Sequence, residues 1–283
     1  LNESFSGEGN ALYRYPEEFS QAAIRNEMHH MQLSIPTETP EVFLEKFTRM
    51  GGIVEEFMDA NEKASPSVQL RISPSGQVMV ISTHDQLLGG ATGQIFLGCA
   101  FPADDEYRMA IQESARAIGA VLAKKGVVSR FAIDFLAYRN DGRSPWSISA
   151  LEINLRMGGT THPFHALQFL TGGGLDEATG LFRSPSGHVK YYRATDNLKS
   201  DSYRGLLPED LIEILTINRL HYSHSTESGV LFHLIGALSQ HGKLGMTAIA
   251  NSPAEVENIY KHTLAVLDRE TSIGPPTDEG HTH

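Results

Sequence analysis

Asp134 stands in Phe131-Ala-Ile-Asp-Phe-Leu136, a run that is otherwise apolar. An ionised carboxylate there is costly unless something pairs with it. Downstream, Ala150-Leu-Glu-Ile-Asn-Leu-Arg156 carries Glu152, Asn154 and Arg156 at every second position. Strand side chains alternate with a period of two, so these residues would share one face. If the two segments pair, Asp134, Glu152 and Asn154 converge as hard oxygen donors, which suit Mg2+ beside phosphate oxygens. Arg156 would lie at the edge of that group, where a guanidinium can hold an oxyanion. Spacing alone leaves an equal reading, a half-buried hairpin whose polar face is simply hydrated, because such alternation is usual in antiparallel sheet.

Further segments carry weaker signals. In Ser4-Phe-Ser-Gly-Glu-Gly-Asn10 the glycines let backbone amides close round a phosphate. Gly-rich hairpin turns are common, however, and Glu8 opposes an anion. Ile53-Val-Glu-Glu-Phe-Met58 reads as an apolar strand ending in paired carboxylates, an edge that can offer backbone groups and an apolar wall to a purine; most such strand ends are only edges. Ser82-Thr-His-Asp-Gln-Leu-Leu-Gly-Gly90 reads as a polar loop after a strand, functional or merely solvated. The pairs His162/His165 and His221/His224 have helical ligand spacing of the kind Zn2+ uses, but the sequence places no third ligand. His233, in an apolar run, reads as a core histidine.

The elements that must position these residues follow from pattern. Residues 1–14 read as two short strands around a Ser/Gly turn, and Glu17 to Met31 as a helix. Thr39 to Gly51 is a helix with a capping Thr39, Pro40 at its first position and a glycine stop. Residues 67–73 and 77–83 form a hairpin across Pro74-Ser-Gly76, followed by a strand at 94–101. Tyr107, Ile111, Ala115, Ile118 and Leu122 recur at helical spacing within 104–125. Residues 127–138 and 146–155 are the paired strands of the first constellation, and 161–170 is a short helix. Gly172-Gly-Gly174 is the best internal boundary. Beyond it come a strand at 188–194, a helix at 208–218, strands near 229–234 and 245–250, and a helix at 253–268. The Pro/Gly-rich tail, 271–283, is expected to be disordered. Hairpins mixed with separate helices give an α+β class with much antiparallel sheet.

The chain has 283 residues and a formal charge of −11, with no basic block. That argues against a nucleic-acid partner. It also means that a polyanionic ligand must be met locally, by metal ions or a few placed cations. Cys99 is the single cysteine, so no intrachain disulfide forms; this is compatible with a reducing, cytoplasmic setting. No apolar run reaches the ~18 residues of a membrane span.

Taken together, the segments 4–12, 51–58, 65–78, 82–90, 131–135 and 151–164 resemble the ATP-grasp fold, in the peptide-ligase branch related to the pheganomycin ligase. Residues 191–198 and 229–252 resemble the C-terminal domain that accompanies this branch. The resemblance implies an ATP-grasp region over 1–173 lacking its N-terminal part, a smaller α/β domain over 174–270, and a tail over 271–283. It implies that Asp134, Glu152 and Asn154 bind two Mg2+ ions, with Mn2+ as a substitute. Arg156 would stabilise the acyl phosphate and the tetrahedral oxyanion. Ser6, Gly7, Gly9 and Asn10 would lie over the phosphates of ATP. Glu55, Glu56, Phe57 and Met58 would form the hinge at the adenine, while Arg71 and the 82–90 segment would face phosphates or substrate. The implied reaction joins a small-molecule carboxylate to an amine, amino acid or peptide, through an acyl phosphate.

One departure stands out. ATP-grasp enzymes carry phosphate-facing lysines before the glycine loop, and no lysine precedes Lys46 here. The chain is therefore expected to be an N-terminally truncated fragment, inactive alone. The competing readings are a non-catalytic ATP-grasp nucleotide-binding module and, more remotely, a His-based zinc hydrolase.

Overall fold

The computed structural model describes residues 9–90 and 92–272. The chain divides into two units, residues 1–63 with 87–97 and 139–144, and residues 64–86 with 98–138 and 145–283.

The first unit holds β1 (Ala11–Leu12), α1 (Gln21–Met28), β2 (Gln32–Leu33), α2 (Pro40–Met50) and most of β3 (Glu62–Ala64). β1 pairs antiparallel with β2, a strand the sequence pattern does not signal. α1 is shorter than expected because Ser20 caps it, accepting from the Ala23 amide at 3.1 Å. α2 begins and ends as its sequence predicts: Thr39 accepts from the Val42 amide, Pro40 opens the helix, and Gly51 closes it at φ 75°. Its buried Phe43 stacks on Phe47. The strand expected at 53–58 is absent. That segment is irregular, and Ile53 and Val54 are 75% and 74% exposed. An apolar run makes a strand only where another backbone completes its hydrogen bonds, and none does so here.

The second unit contains β4 (Pro66–Ile72), most of β5 (Val78–Gly89) and of β6 (Ile95–Phe101), α3 (Arg108–Lys124), β7 (Ser129–Arg139), β8 (Ser147–Asn154) and α4 (Thr161–Thr171). It continues with a hairpin of β9 (Gly174–Asp176) and β10 (Leu181–Arg183), then β11 (Val189–Lys199), α5 (Pro208–Ile217), β12 (Gly229–His233), α6 (Leu238–His241), β13 (Lys243–Ala250) and α7 (Pro253–Ser272). The strands run in the order β12-β13-β11-β6-β5-β4-β7, with β8 on β7 and β10 on β11.

Alternation sorts β4 and β7 into two faces. Val68, Leu70 and Ile72 of β4, with Phe131, Ile133, Phe135 and Ala137 of β7, pack under Ile111 and Ala115 of α3. Each fully buried aliphatic side chain there contributes about 2 kcal/mol. Gly119 lets α3 approach closely, since a Cβ at that position would stand 2.7 Å from a Val78 methyl. The intervening residues of β4 and β7 therefore face the other way. A separate core joins β12, β13 and α7 through Val230, Met246, Ala248, Val256 and Tyr260.

Candidate functional site

The face turned away from α3 carries the polar side chains. Register makes Ser67 of β4 the direct partner of both His84 on β5 and Asp134 on β7, and Asp134 in turn faces Glu152 on β8. The next row on this face is Ser82, Gln69, Ala132 and Asn154. Directly opposed residues of an antiparallel pair share a face. Asp134, Glu152 and Asn154 are thus brought together, as the period-two spacing predicts. A bulge at Leu151 separates this register from the rest of β8, where Ala150 meets Phe135.

Asp134 is the centre of the group. It accepts from Gln86 Nε2 on one carboxylate oxygen at 2.9 Å, and from Asn154 Nδ2 on the other at 3.0 Å. Burial, and then the Glu152 charge, push its pKa up to about 6, against the pull of Gln86, Arg156 and Asn154. Asn154 turns its amide nitrogen toward Asp134 and donates one N–H to it, and its amide oxygen is the group's acceptor atom. Two carboxylates and an amide oxygen form a donor set that could hold a hard divalent cation. Arg156 is exposed just past the end of β8, where its Nη1 donates to the Met157 carbonyl at 3.3 Å.

The other sequence-predicted residues are spread over both units. Ser6 and Gly7 lie outside the described residues, as does the tail from 273. Gly9 and Asn10 precede β1, and the Asn10 carbonyl accepts from the Ser34 amide at 3.1 Å. Glu55, Glu56 and Phe57 are exposed on the irregular segment of the first unit, where Lys63 Nζ sits 4.6 Å over the Phe57 ring and donates to the Met58 carbonyl. Arg71 is exposed on β4 in the second unit.

The 82–90 segment departs from its expectation. It is not a loop, because β5 continues to Gly89. His84 is fully buried, with Nε2 2.6 Å from the Tyr192 hydroxyl and its ring against Phe101, and burial lowers its pKa to about 3. Asp85 accepts from the Tyr107 hydroxyl at 2.7 Å and from the Asp104 amide at 2.8 Å. Polar side chains that find partners across a sheet can be buried, and a single sequence does not show those partners. Gln86, which composition does not distinguish from its polar neighbours in this segment, is the member that reaches Asp134. Thr160 and Thr161 at the start of α4 bind Gln69 at 2.8 and 3.0 Å, fixing the helix to the same face.

The histidine pairs do not build a zinc site. His162 lies 4.4 Å from the ring of His233, yet among the described residues no group of three or more His, Cys, Asp or Glu side chains comes together. Burial, and then His162, lower the His233 pKa to about 4. A cavity of about 470 Å³ lined by Met109, Gln112, Arg116 and Glu177 lies on α3, away from Asp134. No helix among the described residues is long and apolar enough to cross a membrane.

Residues 210–263 match the PGM1 C-terminal domain. The L-propargylglycine–L-glutamate ligase of Streptantibioticus cattleyicolor is 34% identical over 227 residues, 80% of this chain and 45% of that protein. IQ motif-containing protein H of Danio rerio is 22% identical over 143 residues, 50% of this chain and 13% of that protein. The chain thus spans less than half the length of these curated relatives. Among solved structures, the phosphoribosylaminoimidazole carboxylase ATPase subunit from Aquifex aeolicus is 16% identical, with a TM-score of 0.46 over 76% of this chain and 58% of that one. Residues 8–178, more than half of the chain and all of the Asp134 row, match the IQCH-like ATP-grasp family, and the chain belongs to that family, with the α+β ATP-grasp fold.

Proposed function

We propose that this protein is an ATP-dependent carboxylate–amine ligase that joins amino acids or short peptides. The observation that carries the reading is the cross-strand group of Asp134, Glu152 and Asn154, oriented through Gln86. The donor set fits Mg2+: all-oxygen, doubly acidic and held by neutral amides rather than by a cation of the protein's own. Asp134, Glu152 and Asn154 would hold the metal, which when bound would neutralise phosphate charge as it shifts toward the leaving group.

In this reading a carboxylate oxygen attacks the γ-phosphorus of ATP, the bond to the bridging oxygen breaks, and ADP leaves. An amine nitrogen then attacks the acyl carbon, loses its proton, and phosphate departs as the amide forms. The protein's own part is positioning and charge. Arg156 holds the oxyanion. Ser6, Gly7, Gly9 and Asn10 offer backbone amides to the phosphates, Glu55 to Met58 contact the adenine, and Arg71 faces substrate. We assign the ATP-grasp region to residues up to 173 and the companion domain to 174–270. Amino acids are favoured as substrates because the 34% identical relative is named for ligating two of them.

The test is ADP release with Mg2+ across amino-acid and dipeptide libraries. Release should depend on a particular acid–amine pair and should drop at least about 100-fold in Glu152→Gln. Nucleotide binding without release would instead identify a non-catalytic module, and release unchanged in Glu152→Gln would refute the metal assignment.

A further inference from the structure

The same polar face carries a second pair of charges. Arg71 of β4 is the direct cross-strand partner of Arg130 of β7. Both alternate with core residues, Arg71 between Leu70 and Ile72 and Arg130 beside Phe131, so both point away from α3. Opposed residues stand about 5 Å apart at Cβ, where like charges repel and destabilise the sheet. Neither guanidinium forms an ion pair among the described residues, and Arg130 Nη1 is shut off from solvent without a hydrogen-bond partner. A buried N–H of a cation left without an acceptor is among the costlier features a fold can carry. His165 on α4 lies near enough to feel this charge: burial first, then Arg130, hold its imidazole below the usual range. In a chain with a net charge of −11, two adjacent unpaired arginines are a local exception.

We propose that Arg71 and Arg130 form a subsite for a carboxylate of a substrate, one that is recognised but not activated. This deepens the ligase reading and rests on it for the word substrate. Two planar guanidinium forks match the coplanar oxygens of a carboxylate. Arg130 lies four residues from Asp134 along one strand, about 13 Å at 3.3 Å per residue. An amino acid or dipeptide reaching away from the reacting carbonyl suits that span better than phosphoryl groups gathered at Asp134. The i, i+4 spacing of Arg130 and Asp134 in a strand is the sequence signal for their common face.

The test uses glutarate as the carboxylate probe and inorganic pyrophosphate as the phosphate probe, by calorimetry without ATP or metal. Glutarate should bind the unmodified protein, and binding should weaken roughly tenfold or more in Arg71→Gln and in Arg130→Gln. Pyrophosphate should not displace it, and Glu152→Gln should retain it. In buffer free of polyvalent anions the two arginine variants should melt no lower than the parent, because each relieves repulsion. Displacement by pyrophosphate would reassign the pair to phosphate and overturn the proposal. Equal glutarate binding in parent and variants, or a lower melting temperature in both variants, would overturn it as well. Glutarate binding that survives in a protein with no ADP release would leave the subsite standing while the ligase reading fails.

Discussion

Asp134 and Glu227 are carboxylates of the same unit that their surroundings treat in opposite ways. Asp134 accepts from two neutral amides, but burial, and then the charge of the facing Glu152, outweigh them and raise its pKa to about 6. Glu227 accepts from Ser186 at 2.6 Å and Ser184 at 2.7 Å, with His188 and Lys190 beside it, and its pKa falls to about 2. Lys190 is fully buried, and its Nζ also donates to the Glu227 carbonyl at 2.5 Å and to Asn251 at 2.6 Å. The second cluster brings its own cation and is complete, tying the 184–188 turn to the loop before β12. The first gathers negative charge without a cation of comparable closeness. Structural carboxylates are neutralised from within, whereas a carboxylate pair oriented only by amides is arranged for a positive group from outside.

The two carboxylates should respond oppositely to substitution. Asp134→Asn should cost ADP release at least about 100-fold with no loss of thermal stability, because it removes repulsion along with function. A matching fall in melting temperature would make Asp134 a structural residue like Glu227. Lys190→Met should show the reverse pattern. Leaving Glu227 and Asn251 without their buried donor should cost about 3 kcal/mol in chemical denaturation, while Mg2+ dependence in the surviving folded protein stays as it was. A Lys190→Met protein as stable as the parent would remove the distinction from that side.

Smaller effects also separate the two environments. Gln86→Leu removes one of the amides on Asp134, and activity should fall about tenfold while Arg71 and Arg130 still bind glutarate. The pH dependences should have opposite signs. Glu227 has a depressed pKa, so its stabilisation is present above the usual 4.5 and is lost as pH falls toward about 2. Asp134 has a raised pKa, so in chelator-treated protein its contribution is full below 3.8 and is lost as pH rises through about 6. Denaturation curves of Glu227→Gln should lose the acid-side fall, and those of Asp134→Asn should lose the decline between those two values. Identical pH profiles for the two variants would show that the environments do not differ as described.

Much of this was legible in the residues. Thr39, Pro40 and Gly51 delimit α2 because capping and helix termination are local chemistry. The stripe from Tyr107 to Leu122 yields α3 for the same reason, as a helix is decided within a few turns. Glu152 and Asn154 fall on one face because alternation is a property of a single strand. The failures share a cause. Ile53–Met58 has strand composition without a partner, and 82–90 has loop composition with partners at Ser67, Tyr107 and Tyr192. Ser6 and Gly7 lie outside the described residues.

The periods, the caps, the acidic balance and the family words can be read from the residues alone, because each depends on neighbours along the chain. Folding alone settled which strands meet and in what register. It set Asp134 opposite Glu152, brought Gln86 to Asp134, buried His84 and faced Arg71 with Arg130. Registry is a long-range choice. Its energy lies in pairings between residues far apart in sequence, and one residue of slip would turn every one of these side chains to the opposite face.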